Sequence, residues 1–251
     1  MNIFKPKELA KSKDFVHKKF RDRDNMSLEQ HSYAVFKIVT QLLEGVKIEE
    51  EKKKRIQLSA YLHDIGKKDE RFQKVLSGES ENYLKHETKS LNYIEDIKDN
   101  WGEILDRLNL DLEYSDKVLE EILTFAVSHH GLFFLSKNKE DEYEIKKKWT
   151  EFSLEETSRI TLVDLLFEYH PAGGFIVLAD LIHSYSLAKG IKYEEKLKEL
   201  KNKKSILEFI NDYFEEIEAK EDKENRGTEA LKEILKLTLG GVERWLRAQK
   251  S

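Results

Sequence analysis

Apolar residues recur every three or four positions along most of this chain, which is the spacing of amphipathic helices. The clearest case follows Ser27, where one helix face would consist of Leu28, Val35, Ile38, Val39, Leu42 and Leu43. Ser27, with Gln30 three residues later, has the pattern of a helix-capping box, and Gly45 marks the end of the segment. With only 2 prolines and 11 glycines in 251 residues, little interrupts such helices. We therefore predict an all-α chain.

The same periodicity predicts further helices over residues 49–66, 85–97, 115–131 and 173–190. From Tyr193 to the end, the pattern predicts two amphipathic helices joined by the charged stretch 218–228. Residues 133–152 are highly charged and less periodic, so they predict either a mobile loop or one short hairpin. No stretch rich in proline, glycine or serine divides the chain, which favours a single domain over residues 1–251.

Composition argues against several classes of protein. The formal net charge of −5 argues against a general attraction to nucleic acid or to an anionic membrane, although it leaves room for a local basic groove. The absence of cysteine rules out disulfides and thiolate metal sites. The sequence contains no apolar run of about 18 residues, and its first residues lack the apolar core of a secretory signal. We expect a cytoplasmic protein without membrane contact.

The pair His63–Asp64 interrupts the apolar run "AYLHDIG". Burying two polar side chains is costly unless a partner compensates them. One explanation is a core histidine held by the neighbouring carboxylate. The other is metal binding. Neighbours on a helix diverge by about 100°, so the two side chains could face different ions, and a carboxylate with its two oxygens could bridge both.

Other imidazoles and carboxylates occupy similar positions in or at the ends of helices: His31, His86, His129, His130 and Asp180. Each has an ordinary explanation when taken alone, such as a core or surface histidine, a charge at a helix terminus, or a buried ion pair. Together they offer only nitrogen and oxygen donors, which fits Mg²⁺, Mn²⁺, Fe or Ni and not a structural zinc site. The set exceeds what one ion needs, and so predicts one or two divalent ions, a pair lying about 3.5–4 Å apart.

The order of these residues resembles the HD superfamily of metal-dependent phosphohydrolases. Four segments resemble, more specifically, the nuclease of type I CRISPR interference: "HDIGKKDERFQ", "KHETKS", "SHHG" and "ADLIHS". The resemblance covers about residues 25–190, and residues 191–251 would be a C-terminal helical extension. It implies an HD-domain helical bundle with the metal site between its central helices.

The resemblance also implies a distribution of ligands over two ions. The first ion would be held by His31, His63, Asp64 and Asp180. The second would be held by His86, His129 and His130, with Asp64 bridging. His183 is an imidazole that the motif does not require, and we interpret it as packing or as support for a ligand.

Catalytic roles implied by the resemblance fall to Asp64, Lys67 and Ser184. Lys67 would stabilise negative charge on the scissile phosphate, and Ser184 would orient a ligand or a water. Nucleic acid would be bound by Lys67, Lys68, Arg71 and Lys89, with Lys74 and Lys85 as further candidates. The alternative for these basic residues is an ordinary role in solubility.

The implied activity is metal-dependent hydrolysis of single-stranded DNA, with RNA or the strand of an R-loop as further substrates, and it requires no protein nucleophile. The sequence contains no "GxxxxGK[ST]" nucleotide-binding motif. The chain therefore resembles the stand-alone nuclease subunit, which would act in antiviral defence with a separate CRISPR helicase and a guide-RNA surveillance complex. The alternatives are an HD nucleotide or cyclic-dinucleotide phosphohydrolase, and a non-catalytic binding module stabilised by metal.

Overall fold

A computed structural model of the chain describes residues 3–21, 26–44, 46, 48–80, 86–127, 129, 134–137, 143–146, 171–200 and 203–219. In this part of the chain the α-helices are α1 (Leu28–Leu42), α2 (Glu50–Leu62), α3 (Glu70–Leu76), α4 (Ile94–Asp99), α5 (Trp101–Leu108), α6 (Asp116–Val127), α7 (Pro171–Lys189), α8 (Tyr193–Glu199) and α9 (Lys203–Ala219). Short 3-10 helices span Lys18–Phe20, Ile65–Lys68 and His86–Tyr93. The predicted all-α class is confirmed. None of the described helices has the length and apolar character needed to cross a membrane.

Helix α2 lies at the centre of the molecule, packed against α1 and α6, and α7 packs against α1 and α2. The side chains of α2 belong to two hydrophobic clusters. Ile56 belongs to the cluster shared with α1, α7 and α9, and Tyr61 and Leu62 belong to the cluster shared with α6 and the N-terminal segment. Full burial of each large apolar side chain stabilises the fold by about 1.5–3 kcal/mol. The C-terminal end of α2 is therefore fixed between both clusters.

The start of α1 is capped as its sequence predicts, because the Ser27 hydroxyl accepts a hydrogen bond from the Gln30 amide. The N-terminal segment runs beside this cap. The Leu28 amide donates to the Glu8 carbonyl, and the Ala10 amide donates to the Met26 carbonyl, both at 2.8 Å. These backbone bonds anchor residues 8–10 against the first turn of α1.

The helix predicted over residues 49–66 is shorter than expected. It ends at Leu62, and the chain continues as the 3-10 helix Ile65–Lys68. The physical reason lies at Gly66, where an added Cβ would stand 1.8 Å from the His86 carbonyl oxygen. The two 3-10 helices thus pack backbone against backbone, and a continued α-helix would not make this contact.

Two other predicted helices need correction in detail. The segment predicted as a helix over 85–97 is a 3-10 helix, His86–Tyr93, followed by α4. The first tail helix is divided, because Leu200 leaves the helical conformation between α8 and α9. The second tail helix falls beyond residue 219, outside the described residues. Helices α3 and α5 were not predicted.

The short hairpin, one of the two alternatives for residues 133–152, is present. Strands β1 (Phe134–Lys137) and β2 (Tyr143–Lys146) pair antiparallel, with Phe134 opposite Lys146 and Lys137 opposite Tyr143.

Candidate metal centre

His63 and Asp64 follow the last residue of α2, where backbone carbonyls lack partners within the helix. The His63 Nδ1 atom lies 2.8 Å from the Ala60 carbonyl oxygen. Because a carbonyl can only accept, Nδ1 carries the proton, and Nε2 presents its lone pair. That lone pair is directed to the centre, with Nε2 3.3 Å from Asp64 Oδ2.

His129 uses the same arrangement just beyond the end of α6. Its Nδ1 lies 2.5 Å from the Ala126 carbonyl oxygen, so Nδ1 is the donor and Nε2 is the nitrogen directed toward Asp64. This Nε2 is 3.4 Å from Asp64 Oδ1. The adjacent His130 lies outside the described residues.

His31 reaches the centre from within α1, where it is fully buried. Its Nε2 lies 3.1 Å from Asp64 Oδ2 and 3.2 Å from Asp180 Oδ1. Its other nitrogen, Nδ1, is 2.7 Å from Nδ1 of His183 on α7. His183 thus supports His31 from behind, consistent with its interpretation as support for a ligand.

His86 begins the 3-10 helix that packs on Gly66, and its Nε2 lies 3.0 Å from Asp64 Oδ1. Its ring is held edge-on against the ring of Phe72, with centroids 4.9 Å apart. The close backbone contact at Gly66 therefore determines how near this imidazole comes to the centre.

The two oxygens of Asp64 face different groups of imidazoles. Oδ2 is close to His31 and His63, and Oδ1 is close to His86 and His129. This is the division that a carboxylate between two cations would have. The predicted ligands that the structure describes all meet here: His31, His63, Asp64, His86, His129 and Asp180.

Asp180 extends from α7 and is held by two side chains. The Ser184 hydroxyl, one turn further on, donates to Oδ1 at 3.0 Å, and the Lys11 ammonium lies 3.4 Å from the same oxygen. Ser184 therefore orients the carboxylate itself.

Lys67 is buried beside Asp64, with Nζ 2.5 Å from Oδ2, and it also donates to the Ala10 carbonyl at 3.3 Å. The other basic residues predicted to bind nucleic acid differ in availability. Lys68 is largely buried and donates to the Ile3 carbonyl and to Asp96. Arg71 is exposed and paired with Asp69. Lys89 is partly buried.

A family model described as "HD domain" matches residues 28–166, which is more than half of the chain. The chain belongs to the HD domain family. The match includes the His63–Asp64 pair, His31, His86 and His129, and Asp180 lies beyond it on α7. No curated protein and no solved structure matches the chain. Membership in this family indicates a metal-dependent phosphohydrolase.

The electrostatics of this HD domain suit metal binding. Burial lowers the pKa of His63 and lowers that of His86 to about 3, so both imidazoles are neutral near neutral pH. Burial works to raise the pKa of Asp64, but its charged and hydrogen-bonding neighbours, including Lys67, hold that pKa well below its usual value. Asp64 therefore remains ionised. Neutral imidazole and ionised carboxylate are the ligand states that a divalent cation requires.

The donors of this HD domain also fit divalent cations geometrically. His63 Nε2 and Asp64 Oδ2 are both acceptors 3.3 Å apart, and acceptors this close repel unless a cation lies between them. Within the described residues, His31 Nε2, His63 Nε2 and Asp64 Oδ1 are buried without a hydrogen bond. Two groups of residues each offer ligand atoms that lie within 4.8 Å of one another. The first is His31, His63 and Asp180, and the second is His63, Asp64 and His129. The donor set suits Mg²⁺, Mn²⁺, Fe or Ni.

Sequence reasoning missed two residues of this HD domain. Lys11 was not singled out, because nothing in the sequence near it marks a site. Gln73 was quoted only as part of a motif, yet its side chain accepts from the Leu9 amide at 2.7 Å and donates to the Leu9 and Lys67 carbonyls. The motif "FQ" was the available signal, since a glutamine next to a buried phenylalanine can serve two backbone segments.

Low pH should destabilise the metal-free HD domain. His86 has a pKa of about 3 when folded and 6.5 when exposed, so below pH 6.5 the unfolded chain takes up a proton that the folded chain excludes. The free energy of unfolding should then fall by about 1.4 kcal/mol per pH unit for this residue alone. His63 adds in the same direction. Thermal unfolding in chelator at pH 7.5 and pH 5 measures the effect, and an unchanged Tm would contradict it.

Proposed function

We propose that this HD domain is a metal-dependent nuclease that hydrolyses phosphodiester bonds in single-stranded DNA. The observation that carries the proposal is the Asp64 carboxylate, whose two oxygens face separate groups of imidazoles. Such a bridge suits two cations, an arrangement common in enzymes that cleave phosphate esters.

Divalent cations would be held by His31, His63, Asp64, His86, His129 and Asp180, and they would supply Lewis-acid chemistry toward water and phosphate. In the hydrolysis, a bond forms between the water oxygen and phosphorus, the ester bond breaks, and the leaving alkoxide takes up a proton equivalent to the one that the attacking water gives up. Asp64 and Asp180 bring the carboxylates, and Ser184 keeps Asp180 in its orientation. Lys67 places its ammonium beside Asp64, where it can stabilise the charge that develops on the phosphate oxygens.

The substrate reaches the centre from the side of Asp180. This side chain is 16% exposed, whereas Asp64 is 1% exposed and His31 is fully buried. Arg71 and Lys74 on α3 are exposed and paired with Asp69 and Glu70, so they would have to exchange these partners for phosphates of the substrate. The motif "HDIGKKDERFQ" supports a nuclease acting in CRISPR interference with a separate helicase and a guide-RNA complex, on single-stranded DNA, RNA or the strand of an R-loop.

The test is incubation of the purified protein with end-labelled single-stranded DNA in Mg²⁺, Mn²⁺, Ni²⁺ or Fe²⁺, and in EDTA. Duplex DNA, single-stranded RNA, deoxynucleoside triphosphates and a cyclic dinucleotide serve as comparison substrates. We expect metal-dependent cleavage of single-stranded DNA, which EDTA and the Asp64→Asn substitution both remove.

The comparison substrates separate the alternatives. Hydrolysis of nucleotides or cyclic dinucleotides without attack on DNA would replace the nuclease by another HD phosphohydrolase. Metal binding that raises the Tm, with no hydrolysis of any substrate, would indicate a non-catalytic module. Cleavage that persists in Asp64→Asn would show that the activity does not depend on this carboxylate, and it would overturn the proposal.

A further inference from the structure

We propose that Lys11, on the N-terminal segment, binds the substrate phosphate beside Lys67. This inference deepens the proposed function and rests on it. Lys11 lies outside the matched family region, and its ammonium is 3.4 Å from Asp180 Oδ1. The Lys67 ammonium contacts the other carboxylate, with Nζ 2.5 Å from Asp64 Oδ2. Each of the two carboxylates of the centre therefore has one lysine ammonium beside it.

The segment that carries Lys11 is anchored just before this residue, at Leu9 and Ala10. Lys67 donates to the carbonyl of Ala10, the residue just before Lys11. Gln73 binds both the amide and the carbonyl of Leu9, and its amide nitrogen also reaches the Lys67 carbonyl at 2.7 Å. Gln73 thus links the backbone carbonyl of Lys67 to the backbone of Leu9, two residues before Lys11. It acts as a positioning residue that fixes the two lysines relative to each other.

Formal charges explain what these lysines do in the presence of metal. Asp64 and Asp180 balance Lys11 and Lys67, so the four side chains together are neutral. Each divalent ion bound by the carboxylates leaves an excess of positive charge and weakens the hold of the carboxylates on the lysines. This excess of positive charge at the two lysines and the metal ions would attract the negatively charged phosphodiester of the substrate.

Lys11 is better placed than Lys67 to meet an arriving strand. Its side chain is 16% exposed, like that of Asp180, whereas the Lys67 side chain is 6% exposed. The Lys11 ammonium lies over the ring of Phe15, with Nζ 5.6 Å from the ring centroid. Lys11 therefore presents its ammonium at the more open side of the centre.

The test compares wild type, Lys11→Ala, Lys11→Arg and the control Lys13→Ala, which removes an exposed lysine from the same segment. Binding of a phosphorothioate oligo(dT), which keeps the backbone charge and resists cleavage, is measured in Mn²⁺ over a range of salt. Loss of one phosphate contact should make the negative slope of log K against log salt shallower by about 0.7 in Lys11→Ala. The slope should be retained in Lys11→Arg and in Lys13→Ala. Mn²⁺ affinity is measured separately by calorimetry and should not fall.

Cleavage should follow binding, with kcat/KM for single-stranded DNA reduced about 10- to 100-fold in Lys11→Ala. An unchanged salt slope would overturn the inference. So would a fall in Mn²⁺ affinity with cleavage restored by excess Mn²⁺, because Lys11 would then serve only to hold Asp180. A wild type that binds the oligonucleotide but cleaves no substrate would refute the nuclease, and the salt slope would still decide the role of Lys11. A wild type that does not bind the oligonucleotide would overturn both.

Discussion

Asp64→Asn should reduce phosphodiester hydrolysis by about a thousandfold or more. The substitution keeps the size of the side chain and removes its charge, and it replaces one acceptor oxygen by an amide donor. Both groups of imidazoles face this carboxylate, so the loss affects both proposed ion positions at once. A thousandfold loss corresponds to about 4 kcal/mol of transition-state stabilisation, the scale expected of Lewis-acid catalysis. Steady-state cleavage and Mn²⁺ stoichiometry measure the two effects.

Stability must be separated from catalysis in this variant. Removing the Asp64 charge leaves the buried Lys67 ammonium without its partner, which costs about 3–5 kcal/mol of unfolding free energy in the metal-free protein. The double variant Asp64→Asn/Lys67→Met removes the buried charge as well. We expect it to recover most of the lost stability and none of the activity.

A matched control is Asp96→Asn, the same substitution at a half-exposed aspartate paired with Lys68. It should change stability by about 1 kcal/mol or less and leave cleavage unchanged. Retention of more than a tenth of wild-type activity in Asp64→Asn would contradict the bridging role of this carboxylate.

The sequence predicted which residues meet because burying a polar group is costly. His63, Asp64 and Asp180 lie in apolar segments, where a buried polar side chain needs a polar or metal partner. The partners and metal ligands available in the sequence were a small set of imidazoles and carboxylates. Helical periodicity then predicted most of the helices that carry them. The structure brings together the predicted ligands that it describes. Their roles as ligands remain a prediction that metal titration can test.

What the sequence could not predict depends on contacts between distant residues. Leu9 and Gln73 are separated by 64 positions, and nothing in the local pattern of either indicates that they are bonded. Lys11 likewise reads as one more charged residue in a lysine-rich chain, and only its distance to Asp180 distinguishes it. The 3-10 conformation after α2 has the same origin, since it depends on the close approach of another segment.

Gly66→Ala should be the second most damaging substitution. A Cβ at this position would stand 1.8 Å from the His86 carbonyl oxygen and 2.9 Å from the Ser90 amide nitrogen, and both are backbone atoms that cannot rotate away. The segment starting at His86 must then shift outward, which withdraws its imidazole from Asp64 Oδ1. We expect a loss of about 1–3 kcal/mol or more in unfolding free energy. We also expect one Mn²⁺ site to weaken while the other is retained, together with a large fall in cleavage.

The control is Gly102→Ala, because Gly102 lies in α5 and an added Cβ there meets no atom within 4 Å. Alanine should stabilise that helix by about 0.5–1 kcal/mol relative to glycine and leave metal binding and cleavage unchanged. Calorimetric titration with Mn²⁺ and thermal unfolding of both variants distinguish a local clash at Gly66 from a general effect of replacing glycine. If Gly66→Ala kept the wild-type Tm and Mn²⁺ stoichiometry, close packing at Gly66 would not be what holds His86 in the centre.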